Sequence, residues 1–234
     1  MKNRLLVMVV ALVLALCMTI PALADEILFR SIPWFGDYNT VTSALQDAPI
    51  VWKAPESELG KYVLDEVEER SSNYDRNYQC TYTVTSNKKQ SSLKVAGYDV
   101  ATVKLYFAYT ANANGEIDRK VENTSFYLAR YTIEPADYEV ASGDLLEKLT
   151  GIYGTPKKVE NSNECASGNA TYYRWEADND SFVVLTREDT SFSGEPDIYI
   201  YYGNNKGTDL IKACEAILKK AEANSLKDAG SDGL

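Results

Sequence analysis

Residues 126–156 read FYLARYTIEP and then ADYEVASGDLLEKLTGIYGTP. A strand-like run leads into a helix-like one. Tyr127, Ala129, Tyr131 and Ile133 alternate with Phe126, Leu128, Arg130 and Thr132. Aromatic and β-branched residues at period two suit a pleated strand. Both sets carry apolar side chains, so the spacing predicts an inner strand rather than an edge. Pro135 ends it, because proline has no N–H to donate. Leu145, Leu146, Leu149, Ile152 and Tyr153 then recur on one face of an α-helix. Ser142 is the expected N-cap, with Asp144 and Glu147 in the early turns, where the helix dipole favours negative charge. Gly154 fits the left-handed position after the last turn, and Pro156 blocks continuation. The apolar face should lie on a sheet.

Upstream, Lys2 and Arg4 precede an apolar run from Leu5 to Ile20, and Ala22-Leu23-Ala24 forms a small-x-small site. This pattern predicts a secretory signal peptide over residues 1–24 and an extracytoplasmic or secreted chain starting at Asp25. The run is short for a membrane span, so no stable membrane insertion is expected after cleavage. Cys17 is not a lipoprotein cysteine, since Leu16 stands where a small residue belongs. Cleavage leaves 210 residues and moves the formal net charge from −10 to −12. A chain of that size buries roughly 70% of its unfolded surface, so it needs no staple.

Short elements follow the leader. Ile27–Phe29 reads as a strand. Asp37 caps a helix carrying Tyr38, Val41, Ala44 and Leu45, closed by Pro49. Ile50–Trp52 reads as a small strand, and Pro55–Arg70 as an acidic surface helix. Tyr78–Thr85 and Val100–Tyr109 alternate as strands, with Asn87–Ser92 as a polar turn between them. Asn114-Gly115 turns the chain back towards 126–133. Beyond the pivot helix come three strands: Thr171–Glu176, Phe182–Arg187 and Ile198–Tyr202. A last helix runs from about Thr208 to Ala223, with Leu210, Cys214, Ile217, Leu218 and Ala221 on its apolar face. Lys227 to Leu234 is expected to be disordered.

Strands interleaved with isolated helices predict an α+β fold, mainly antiparallel, with helices packed on one face. The element order repeats loosely, so one domain and two tandem helix-plus-three-strand units both fit. The unit boundaries would fall at 25–134 and 135–224, with a tail over 225–234.

Leu149, then Gly154-x-Pro156, then a strand with Tyr173 and Trp175, resembles the helix-plus-sheet modules of the BamE/SmpA lipoprotein type. Tandem copies of that architecture occur in β-lactamase-inhibitory-protein-like folds. Gly36 followed by Val41 is similar to the start of such a module, although Ala48-Pro49 lacks the glycine. Ile32-Pro33-Trp34 also resembles a motif near the mature N-terminus of certain secreted bacterial proteins. These likenesses imply a binding or scaffolding module without catalysis, and they carry over no functional residues.

The chemistry is narrowed mainly by exclusion. The chain has no histidine. That removes Ser-His-Asp and Cys-His catalysis and every His-containing zinc site. There is no P-loop, no dinucleotide fingerprint and no Cys-x-x-Cys pair, so no cofactor and no metal are expected. Thr110 to Asp118 resembles part of a calcium loop, but Thr110 and Val121 stand where Asp and Glu are needed, and a turn is expected instead. Asp178-Asn179-Asp180 is read likewise as a polar turn. The acidic balance argues against nucleic acid as a partner. Lys88-Lys89 and Lys157-Lys158 are read as solvated. Of the three cysteines beyond the leader, Cys214 is read as a buried small hydrophobe and Cys165 as the accessible one. One disulfide is allowed among Cys80, Cys165 and Cys214, with its pairing open.

Tyrosine supplies the positive signal: 17 of them against 6 phenylalanines. If Val103, Leu105, Phe107, Tyr173, Trp175, Ile198 and Ile200 face the core, then Tyr106, Tyr172, Tyr199 and Tyr201 face outward, beside Lys104 and Arg174. Such a face can hold a peptide or a sugar, because aromatic side chains offer contact area at little entropic cost. The expected function is binding of a protein or cell-envelope component, without catalysis. The alternatives are a secreted glycoside hydrolase using two carboxylates, with 34 acidic residues and nothing to select a pair, and a structural envelope protein without ligand.

Overall fold

The computed structural model describes residues 26–46, 80–86, 93–160, 170–188 and 197–231. The expected signal peptide, the strand at Ile50–Trp52, the helix at Pro55–Arg70 and the turn at Asn87–Ser92 lie outside the described residues. So do the Cys165 loop and residues 189–196. The elements in chain order are α1 (Tyr38–Ala44), β1 (Thr81–Thr85), β2 (Lys94–Val95), β3 (Tyr98–Tyr109), β4 (Thr124–Ile133), α2 (Tyr138–Tyr153), β5 (Lys157–Glu160), β6 (Ala170–Glu176), β7 (Ser181–Glu188), β8 (Ile198–Asn204) and α3 (Lys206–Ser231). A short 3₁₀ turn, Val121–Asn123, leads into β4. The fold is α+β.

The strands form one antiparallel sheet in the order β1-β3-β4-β8-β7-β6-β5, with β2 folded back on β3. The two runs of strands thus meet where β4 pairs β8, from Leu128 opposite Gly203 to Ile133 opposite Ile198. β4 is an inner strand, as its alternation predicts. Its alternation is broken once: the register shifts between Tyr106 and Phe107, which face Leu128 and Phe126 respectively. Tyr127 is the extra residue of this bulge. Phe126 therefore joins Ala129, Tyr131 and Ile133 on the core side, fully buried.

Helix α2 begins earlier than the sequence pattern places it. Its cap is Asp137, whose carboxylate accepts the Val140 N–H at 3.0 Å. Ser142 lies inside the helix, buried, its hydroxyl donating to the Glu139 carbonyl. Aspartate caps as well as serine does, and Asp137 is the first such residue after Pro135. The end falls as expected, at Gly154 with φ 82°, whose N–H reaches the Thr150 carbonyl. Ala141, Leu145 and Leu149 are buried, whereas Ile152 is 61% exposed. In the last turn Tyr153 packs partly against the core, its ring 6.5 Å from that of Trp175, while Ile152 points outward. At this end Trp175 donates its indole N–H to the Gly154 carbonyl at 2.8 Å.

The residues before α1 seam the sheet together. Phe35 and Gly36 exchange backbone hydrogen bonds with Phe126 at 2.9 and 2.8 Å. The Ile27 N–H reaches the buried Ser181 hydroxyl, and Trp34 donates to the Ile27 carbonyl. Ile27–Phe29 is no strand of its own; Phe29 makes only a single bridge to Ile32. Phe29, Trp34, Phe107 and Phe126 form one ring cluster, with Trp34 stacked on Phe126 at 5.2 Å. Helix α2 also reaches the first run of strands, because Lys148 donates to the Ala96 carbonyl in the β2–β3 turn. One core thus joins both halves.

Two further corrections concern the C-terminal half. Lys157–Glu160 forms a fourth strand there, paired with β6 at the sheet edge. It is short and lysine-rich, as edge strands are, and gives no alternation to read. Helix α3 continues through Ser231, over residues that the sequence assigns to a disordered tail. Its Cys214 is buried and Leu218 packs partly against the core, but Ala221 is exposed, so the expected apolar stripe is packed over the first half of the helix only.

Asp37 caps α1 as its sequence position predicts, its carboxylate accepting the Thr40 N–H at 2.7 Å. Hydrogen bonding by Thr40 holds that carboxyl below its usual value of 3.8. The folded pKa is depressed, so the contribution is present above about pH 4 and is lost as pH falls through the folded value. Asp37→Ala is expected to cost about 1 kcal/mol in urea unfolding at pH 7. The deficit should shrink when the same comparison is made below pH 3.

Candidate functional site

Alternation along each strand and the pairing between strands define the face turned away from the ring cluster. Lys104 on β3 pairs Arg130 on β4, Arg130 pairs Tyr201 on β8, and Tyr201 pairs Val184 on β7. Val184 pairs Arg174 on β6, and Arg174 pairs Lys157 on β5. Five strands and the edge thus place four cations and one tyrosine in a single transverse row, in a chain whose formal net charge is −10. No carboxylate occupies any paired position of that row.

The next row is Thr102, Thr132, Tyr199, Thr186 and Tyr172. Here the sequence expectation needs correcting. Tyr172 is on the expected side of the sheet, yet it is 7% exposed, and Thr102, Thr132 and Thr186 are buried with it. Period-two alternation fixes which side a residue takes but not whether that side is covered at that point. Lys104, Tyr106, Arg174, Tyr199 and Tyr201 remain at intermediate exposure on this face. Tyr173 and Trp175 take the opposite side, as expected.

Cations and rings are interleaved. The Arg130 guanidinium lies over the Tyr199 ring at 5.0 Å, Lys104 over Tyr106 at 5.5 Å, and Arg174 over Phe182 at 4.1 Å. Tyr199 contacts Tyr201, and its hydroxyl donates to Asp197 at 3.3 Å. Arg174 is steadied by Glu176 at 2.7 Å and by the Asn205 amide oxygen at 2.8 Å. Arg130 is partly buried, its Nε fully so. Burial works against its charge, but the oxygens of Tyr106, Tyr201 and Tyr199 more than offset this and hold its pKa above the usual value. It stays charged at any physiological pH. Its buried Nε has no hydrogen-bond partner, and neither has the neighbouring Thr132 hydroxyl oxygen. Buried donors of this kind are costly unless something completes them.

Of the six residues singled out from sequence, the fold gathers all six on one side of one sheet and withdraws Tyr172 from the surface. Arg130, Thr132 and Lys157 are the additions. Arg130 alternates with Thr132 in the pivot strand and could have been assigned to the outer set. Lys157 joins only through the β5–β6 pairing, which no local pattern announces.

No protein-family model, curated protein or solved structure matches the chain. Its function must therefore be argued from these residues. Among the described residues no helix is long and apolar enough to cross a membrane. Nor do three or more Cys, Asp or Glu side chains converge among them as metal ligands would.

Proposed function

We propose that the chain is an exported, non-catalytic binding protein whose outer sheet face takes an acidic peptide segment of a partner protein. The observation that carries this reading is the alignment of four cations, Lys104, Arg130, Arg174 and Lys157, in one transverse row of the sheet. Carboxylates match guanidinium forks in geometry as well as charge. The interleaved tyrosines add contact area and hydrogen-bonding hydroxyls without much ordering cost. The acidic character of the rest of the chain sharpens the contrast, since a carboxylate-bearing ligand is repelled elsewhere and drawn to this row.

The experiment is a fluorescence-anisotropy titration of a labelled octaglutamate peptide with wild type and with Lys104→Glu/Lys157→Glu. Wild type should bind saturably, and more weakly as salt rises. The double variant should bind roughly tenfold more weakly. Lys94→Glu/Lys120→Glu, on the short β2 strand and the β3–β4 connection, makes the same change in net charge and is the control; it should bind as wild type does. Equal loss in the control would reduce the effect to nonspecific charge and sink the reading.

A further inference from the structure

Cys80 immediately precedes edge strand β1, held there by the hydrogen bond from the Tyr109 N–H to its carbonyl at 2.8 Å. Cys214 lies two turns into α3, which packs against β3 and β4. Gly207 at the start of α3 lies directly on the Tyr127 ring, where an added Cβ would come within 2.5 Å of it. Further along the same helix, Cys214 lies beside Cys80. Both side chains are buried, at 3% and 1% exposure, and both are free thiols here. They are within hydrogen-bonding reach of one another. We infer that Cys80 and Cys214 are the disulfide pair of this protein, formed as the chain folds under oxidising conditions and clamping α3 to the sheet edge.

The step balances with a small-molecule disulfide as oxidant. One thiolate attacks it to give a mixed disulfide and release one thiol. The second protein sulfur then displaces the other thiol, so one protein S–S bond forms as the oxidant's S–S bond breaks. The two protein thiols lose two electrons and two protons to it. Burial pushes both thiols up from their usual range, so thiolate is scarce once the helix has docked. The bond therefore belongs to folding, before α3 closes over the pair, and the folded reduced protein should react slowly.

The test is to refold the reduced chain in a glutathione redox buffer, alkylate it without reduction, and map tryptic peptides. The expected product links the peptide 77–88, which carries Cys80, to the peptide 213–219, which carries Cys214, with Cys165 alkylated. Cys165→Ser should keep the link, and Cys80→Ser should leave Cys214 alkylated. Finding Cys165 joined to either partner, or all three cysteines alkylated after refolding, would overturn the inference. Adding oxidised glutathione to the folded, reduced chain should give at least tenfold slower linkage than refolding does. Equal rates would contradict the order of events.

Discussion

Phe126→Ala is expected to destabilise the protein by about 3–5 kcal/mol, read as a fall in the urea midpoint with an unchanged slope. Phe126 is fully buried, and its ring meets Trp34 at 5.2 Å, Phe107 at 5.5 Å and Phe29 at 6.1 Å. Its backbone also exchanges two hydrogen bonds with Phe35 and Gly36. Truncation leaves a cavity walled by rings anchored on different strands and segments, and such walls collapse poorly. Phe126→Leu, which keeps much of the volume, should cost less than half as much. A loss below 1 kcal/mol in the alanine variant would mean that the residues before α1 do not pack on β4 as described.

Ile200→Ala is expected to cost about 2–5 kcal/mol and to leave a single cooperative transition. Ile200 is fully buried on β8, paired with Tyr131 on one side and Leu185 on the other. It stands where the two runs of strands join. Trp34 lies in the first half and Trp175 in the second, both buried. Tryptophan fluorescence and far-UV circular dichroism should give coincident unfolding midpoints in the wild type and, at a lower denaturant concentration, in Ile200→Ala. Separate midpoints would show two independently folding units instead of one sheet.

The elements legible in the sequence were those whose signals are local. Val100–Tyr109 and Phe126–Ile133 alternate over many residues, Asp37 caps its helix, and Gly154 with Pro156 stops α2. The misreadings arose where two local signals compete or where none exists. Asp137 and Ser142 are both good caps, and only the packed length of α2 decides between them. The bulge at Tyr127 reverses the side taken by Phe126, and a pattern read at strict period two cannot show it. Edge strand β5 exists because β6 pairs it, not because Lys157–Glu160 prefers a strand. The tail of α3 is polar enough to read as disorder, yet Leu226 and Lys227 are good helix formers.

The candidate site divides in the same way. Sequence alternation places Lys104, Tyr106, Tyr172, Arg174, Tyr199 and Tyr201 on one side, because side is a local property. Which strands lie next to one another is not local. The β4–β8 pairing brings Arg130 against Tyr201, and the β5–β6 pairing adds Lys157 to the row. The burial of Tyr172 depends on what covers that row, which is again a property of the folded chain.

The most direct measurement is amide chemical-shift mapping of the isotope-labelled protein as unlabelled octaglutamate is added. The changes should concentrate on Lys104–Tyr106, Leu128–Thr132 and Tyr199–Gly203, with Arg174 and Lys157 at the far end of the same row. They should fade together as salt is raised. Saturable changes confined to α3 or to the β3–β4 connection, or no change at millimolar peptide, would contradict the assignment of binding to this face.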